Sequence, residues 1–143
     1  MLTGELFVQE GLISGDQLRL AEDKQRELGG GDPIARVLVN LGFIDERDRV
    51  RLLGKVWGIH LVDLREQKPA ADILQLVSPT MAKRFKAIPL ERQGQKLLVA
   101  MANPLDVFVI DELRLATGLE IEPLIAVEED VNGALAQFYR VEV

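Results

Sequence analysis

The sequence predicts an α+β protein in two parts: a helical tandem repeat of two helix-turn-helix units over residues 1–58, and a small α/β sandwich over residues 59–143. Three observations predict it. A helical phrase is written twice, since ELFVQEGLISGDQLRL (residues 5–20) returns, one residue longer, as RVLVNLGFIDERDRVRL (residues 36–52). Self-similarity at a fixed spacing marks one supersecondary unit used twice. At Gly58 the texture changes, and the rest reads in the order β-α-β-β-α-β-α. Finally, 48% hydrophobic and 28% charged residues suit a chain that buries a core and is not disordered.

In the first copy, residues 3–10 read as a short amphipathic helix stopped by Gly11, a residue that accepts the left-handed conformation after a helix end. Ser14 and Gln17 have the spacing of a capping box. The helix they open runs to about Leu28, with Leu18, Leu20 and Ala21 as its apolar positions. Gly29-Gly30-Gly31 breaks it and reads as a flexible linker. Asp32-Pro33 reads as an N-cap followed by proline at the first helical position. The third helix ends at Gly42, and Asp45 caps the fourth, which turns Val50, Leu52, Leu53 and Val56 toward the core. The repeat places Leu6, Val8 and Leu18 in one core with Val37, Val39 and Val50. Two copies are too few for a solenoid, so the pair is a pseudo-symmetric module, of a kind more often used for binding than for catalysis.

In the second part, Ile59–Leu64 (IHLVDL) reads as a short strand, and residues 65–69 as a polar link. Ala70–Val77 and Pro79–Phe85 read as helices, the second with Ser78 as cap. Ala87–Arg92, a Gln93-Gly94 turn and Lys96–Ala102 form a hairpin, in which Pro89 suits an edge position or a bulge. Asp106–Thr117 is an amphipathic helix closed by Gly118, Glu120–Val127 a strand, and Glu128–Tyr139 the last helix. Glu128, Glu129 and Asp130 complement the dipole at that helix's start.

The chemistry excludes several classes of function. There is no cysteine, so disulfides, thiolate nucleophiles and cysteine-ligated zinc are ruled out. His60 is the sole histidine, which forbids a two-histidine metal site, and it reads as structural beside Ile59 and Leu61. No G-x-x-x-x-G-K-[ST] string occurs, so the backbone cradle and lysine of a P-loop nucleotidase are missing. No metal site and no catalytic residue emerge, and the chain is not expected to be an enzyme. The net charge of −6 argues against nucleic acid and anionic lipid as partners. Neither a signal peptide nor a membrane span is present, which points to the cytoplasm. Lys83, Arg84 and Lys86 make a small basic patch around Phe85, a solvated face able to meet an acidic partner. Trp57 reads as core packing at the joint between the two parts.

The repeated phrase resembles the tandem motif in the N-terminal region of type II secretion and type IV pilus assembly ATPases, the MshEN domain. IHLVDL, ILQLVSPTMAKRFKAIPLERQGQKLLVAMANPLD and IDELRLATGLEIEPLIAVEEDV follow that family's order, and ANPLD…IDELRLATG is its more specific stretch. The resemblance implies a non-catalytic docking and regulatory domain for protein transport. Its implied partner is the cytoplasmic part of an inner-membrane platform protein, which would hold it at the inner face of that membrane without insertion. The family's ATPase core follows later in the polypeptide. The chain stops at Val143, so it is either a fragment that belongs with such a core or a free-standing relative.

In some members of that family the repeat binds cyclic di-GMP, the one cofactor the resemblance offers. The positions that match are Gly4, Gly11, Leu12, Ile13 and Gln25 in the first copy, and Gly42, Phe43 and Ile44 in the second. Leu2 and Thr3 stand where the motif opens with Arg-Leu, while Pro33 and Ala35 replace Arg and Gly in the second copy. The second closing Gln is also missing, with Val56 or Trp57 near its place. Arginine supplies a planar donor fork for guanine or phosphate, so losing both opening arginines weakens the site. The alternative to the docking domain is a free-standing cyclic di-GMP sensor or adaptor with a degenerate motif.

Overall fold

Helix ends explain most of the first part of the chain. The computed structural model describes residues 2–140, with Met1 and residues 141–143 outside the described part. Its contacts divide it after Gly58 into a helical unit and a mixed unit. The helical unit holds α1 (Gly4–Gln9), α2 (Gly15–Glu27), α3 (Ile34–Asn40) and α4 (Glu46–Trp57). Gly11 and Gly42 sit at φ +75° and +78°, just past α1 and α3. The Gly11 N–H donates to the Val8 carbonyl and the Leu12 N–H to that of Phe7 (both 3.0 Å). The second copy repeats this, with Gly42 donating to Val39 (3.0 Å) and Phe43 to Leu38 (3.1 Å). Both are Schellman motifs, which satisfy carbonyls that a helix end leaves open and need a residue tolerant of positive φ. Two residues further on, Ser14 exchanges bonds with Gln17, and Asp45 with Asp48, as capping boxes that start α2 and α4.

The core of this unit centres on Phe7 and Leu38, both fully buried, with Ile13, Ile44, Leu18, Ala21, Ala35, Val37 and Leu52 around them. Leu6, Val8 and Val39 pack against it only partly buried, and Val50 is buried. Leu20 and Val56 are 58% and 40% exposed, contrary to their assignment as core positions. Leu20 lies about 200° round the helix from Leu18, on the far face. Val56 lies in the last turn of the twelve-residue α4, which packs against the seven-residue α3. The N-cap of α3 is Pro33, one residue later than the sequence suggests, and it offers no side-chain cap. Its carbonyl takes the N–H of Arg36 (3.0 Å).

The mixed unit is a three-stranded sheet with helices on it. Its elements are a 3-10 turn (Leu64–Glu66), α5 (Ala71–Leu74), α6 (Pro79–Phe85), β1 (Ala87–Gln93), β2 (Lys96–Met101), α7 (Val107–Thr117), β3 (Glu120–Ile125) and α8 (Glu128–Phe138). The α+β class holds. The expected strand over IHLVDL is reduced to a single parallel bridge, Leu61 to Ile125. Asp63 ends it: its carboxylate accepts the Arg65 N–H (3.0 Å) and turns the chain into the 3-10 turn. The first of the two expected helices contracts to Ala71–Leu74, followed by tighter bonds such as Val77 N–H to the Leu74 carbonyl (3.3 Å).

β2 is central, antiparallel to β1 and parallel to β3. Leu97, Val99 and Met101 face the same side as their partners Ile121, Pro123 and Ile125. The register between β1 and β2 slips between Pro89 and Glu91, which makes Leu90 the extra residue of a bulge, and β1 is an edge strand. Gln93 pairs with Lys96, so the hairpin turn is Gly94-Gln95, one residue later than expected. The sheet and α7 and α8 enclose a core that includes Ile88, Leu97, Val99, Leu113, Val131 and Leu135.

Candidate functional site

The residues that the resemblance assigns to a nucleotide sit at helix ends and in the core of the helical unit. Gly4 is the first residue of α1 and is buried. A Cβ there would collide with a δ-carbon of Leu18, so the absent side chain lets α1 approach α2. Gly11 and Gly42 face open space and are held by their backbone conformation instead. Ile13 and Ile44 are core residues, and Leu12 and Phe43 are half-buried against the same core. The Gln25 amide donates to the Asp32 carbonyl at 2.8 Å. It thereby ties the end of α2 across the Gly29-Gly30-Gly31 break, where the Gly30 N–H also reaches the Gln25 carbonyl (2.8 Å). None of these eight side chains carries a charge, so any anion here would need cations from elsewhere.

Sequence reasoning missed the cations that are near. A groove of about 400 Å³ lies beside the start of α3, lined by Pro33, Ala35, Arg36, Asn40 and Arg49 among others. Arg36 is one helical turn beyond Pro33, where the family motif would place arginine; that spacing was the available signal. Arg49 is held by Glu46, its Nε donating at 2.6 Å, so a carboxylate shares the groove. A smaller groove of about 220 Å³ joins Leu12 to the charged face of α4 at Asp48, Arg51 and Lys55. There the Lys55 ammonium meets Glu10 at 2.6 Å, an exposed pair that links the end of α1 to α4.

Several polar groups of the mixed unit serve its fold. The Tyr139 hydroxyl donates to the Leu74 carbonyl (2.8 Å), and burial pushes its pKa up to about 12. Asp63 takes the Arg65 guanidinium through both oxygens (2.9 Å each) and raises its pKa. His60 is exposed and enters the structure through its carbonyl, which accepts the Ile125 N–H (3.0 Å). Trp57, expected in the core, is 36% exposed. Among the described residues, no three His, Asp or Glu side chains gather where they could hold a metal. No described helix is long and apolar enough to cross a membrane.

Comparison with known proteins agrees with this arrangement. The MshEN domain model matches residues 57–143, which is the mixed unit and the two residues before it. The chain is 35% identical over 136 residues to the type IV pilus assembly ATPase PilB of Myxococcus xanthus. That match covers 95% of this chain but 24% of PilB, so the chain spans about a quarter of that relative. A solved structure of MshE with cdg matches at a TM-score of 0.70 and 28% identity, over 95% of this chain and 97% of that one. The N-terminal domain of XpsE matches at 0.58 and 25% identity, over 93% and 90%. With the family model on the mixed unit and these similarities running through the helical unit as well, the chain belongs to the MshEN domain family.

Proposed function

We propose that the domain is the non-catalytic N-terminal docking and regulatory part of a type IV pilus or type II secretion motor. It works in the cytoplasm by binding the cytoplasmic part of an inner-membrane platform protein. The observation that carries this reading is the pattern of coverage. The chain matches a fraction of an assembly ATPase, while it covers nearly all of a separately solved N-terminal domain. The missing P-loop string supports binding in place of hydrolysis. The test is a pull-down and calorimetric titration of the folded chain with the platform protein's cytoplasmic domain. Saturable binding is expected, and no binding would end the docking reading. ATP turnover that survives repurification would end the non-catalytic one.

A second reading rests on the solved MshE structure, whose cdg we take as cyclic di-GMP. This reading is supported by Gly11 and Gly42, two of the positions that match the motif, which keep positive φ. Arg36 and Arg49 offer guanidinium groups near the lost opening position of the second copy. Glu46 opposes an anion in the same groove. Calorimetry with cyclic di-GMP should therefore give weak or no binding. A micromolar or tighter constant, lost on Gln25→Ala, would make the sensor the primary function.

A further inference from the structure

The mixed unit carries an uncovered apolar row beside a cluster of cations, and nothing described so far uses either. Val109 and Leu113 of α7 are buried, whereas Phe108 and Leu115 are 58% and 80% exposed. Seven residues make about two turns, so Phe108 and Leu115 share one stripe of the helix. Val107 (67% exposed) lies beside them, and Leu105 (48%) just before the helix. Apolar side chains grouped in this way mark a binding surface more often than residues scattered singly. Asp111, between the two ends of the stripe, is taken up by Arg114 at 3.3 Å.

This row is joined to the basic patch. The Phe108 ring meets Phe85 edge-on, with centroids 6.2 Å apart and an interplanar angle of 80°. The Arg84 guanidinium lies 5.4 Å from the Phe85 ring centre. Lys83, Arg84 and Lys86 line a concave surface of about 530 Å³ with Pro79 and Thr80. Lys86 is fixed there by a 2.7 Å bond to Asn132. Among the described residues Lys83 and Arg84 pair with no carboxylate, whereas Arg19, Lys24, Arg26, Arg49 and Lys55 each do. Cations left unpaired in a chain of net charge −6 are positioned for a carboxylate brought by something else.

We infer that the end of α6 and the exposed stripe of α7 form a docking surface for an acidic amphipathic helix of a partner protein. The helix lays its apolar side on Phe108 and Leu115 and its carboxylates toward Lys83 and Arg84, the helix-in-groove mode of recognition. Charge complementarity selects this occupant. An anionic membrane would meet Asp106 and Asp111 on the same element, and three cations fall below the cluster of about four to eight that holds a protein on such lipid. A second copy meeting this face through the same face, as a symmetric dimer does, would set its own Lys83 and Arg84 against these cations. The inference depends on the docking reading only for its purpose. It also moves the surface away from the helical unit, where the repeat and its glycine-rich break would suggest it.

The test uses the full chain and a fluorescein-labelled synthetic helix with a Leu/Phe face and a Glu face, beside an analogue with every Glu replaced by Lys. The acidic peptide should bind saturably, more weakly as salt rises, and the basic analogue should not bind. Lys83→Glu/Arg84→Glu should weaken binding at least tenfold, and so should Leu115→Ser, both at unchanged far-UV circular dichroism and melting temperature. Neither change touches the core, so a folding failure does not blur the result. Three results would overturn the inference: no binding of the acidic peptide, equal binding of both peptides, or equal binding by the variants. Binding of phosphatidylglycerol vesicles, or a dimer in ultracentrifugation, abolished by the same changes while the peptide is ignored, would assign the face to those occupants instead. The platform protein is absent from these measurements, so failure here leaves the docking reading standing, and failure of the pull-down leaves this one.

Discussion

The two copies of the repeat close in the same way and open differently. Each short helix ends in a Schellman motif at a positive-φ glycine, and each long helix starts in a capping box. The equivalent isoleucines, Ile13 and Ile44, are buried to nearly the same degree, at 6% and 5% exposed. At the openings the copies part. Leu18 closes down on Gly4 in the first copy. The equivalent pair in the second is Arg49 and Ala35, and there the chain leaves a groove instead of a packed contact. Gln25 ties back to Asp32, while its counterpart Val56 is exposed. The two copies thus agree at the positions that end and start their helices, and differ at the positions beside the groove. A glycine that ends a helix is therefore poor evidence for a nucleotide on its own.

The comparison can be broken first at its centre. Phe7→Ala should cost about 3–5 kcal/mol and Leu38→Ala about 2–5, measured by denaturant unfolding. A small loss at one and a large loss at the other would show that the copies do not share one core. The next largest effect separates the openings. Gly4→Ala should destabilise by about 1–3 kcal/mol, as overpacking does, and by clearly less in a Leu18→Ala background. Additive losses would mean that the close approach of α1 to α2 is not what requires Gly4.

The closing glycines should then behave as twins. Gly11→Val and Gly42→Val have open space for the side chain, so each should lose only the backbone term of about 1–2 kcal/mol. A larger loss at either would reveal packing that its twin lacks. The smallest expected effects are at the caps, where Ser14→Ala and Asp45→Ala should each cost about 1 kcal/mol. Thermal melts of the two variants should shift together. A shift confined to one would mean that the boxes carry unequal weight.

Much of this architecture was legible because it is written in local chemistry. Gly11, Gly42, Ser14 with Gln17, and Asp45 act over three or four residues, and such signals survive in a sequence read by eye. Pro89 likewise announced an irregular edge strand. What was illegible depended on distance or competition. In Leu6-Phe7-Val8, three apolar residues in a row do not say which faces inward, and the neighbouring helices chose Phe7. IHLVDL has the composition of a strand, yet the Asp63 side chain competes for the backbone and stops it after one bridge. The positions that the resemblance assigns to a nucleotide could be numbered from the motif, but not the groove beside them. Its arginines, Arg36 and Arg49, are brought together by α3 packing on α4.

The bulge in β1 has a consequence beyond local geometry. An edge strand with buried apolar residues, here Ala87, Ile88 and Leu90, has the composition of a nucleus for intermolecular ladders. Proline at position 89 removes a donor from that edge, and the extra residue at 90 throws its remaining groups out of step. A second chain that approached in extended form would find no continuous row to zip onto. The β1 edge therefore offers a poor template for amyloid-like growth, while its apolar sequence packs against α5, α6 and α8.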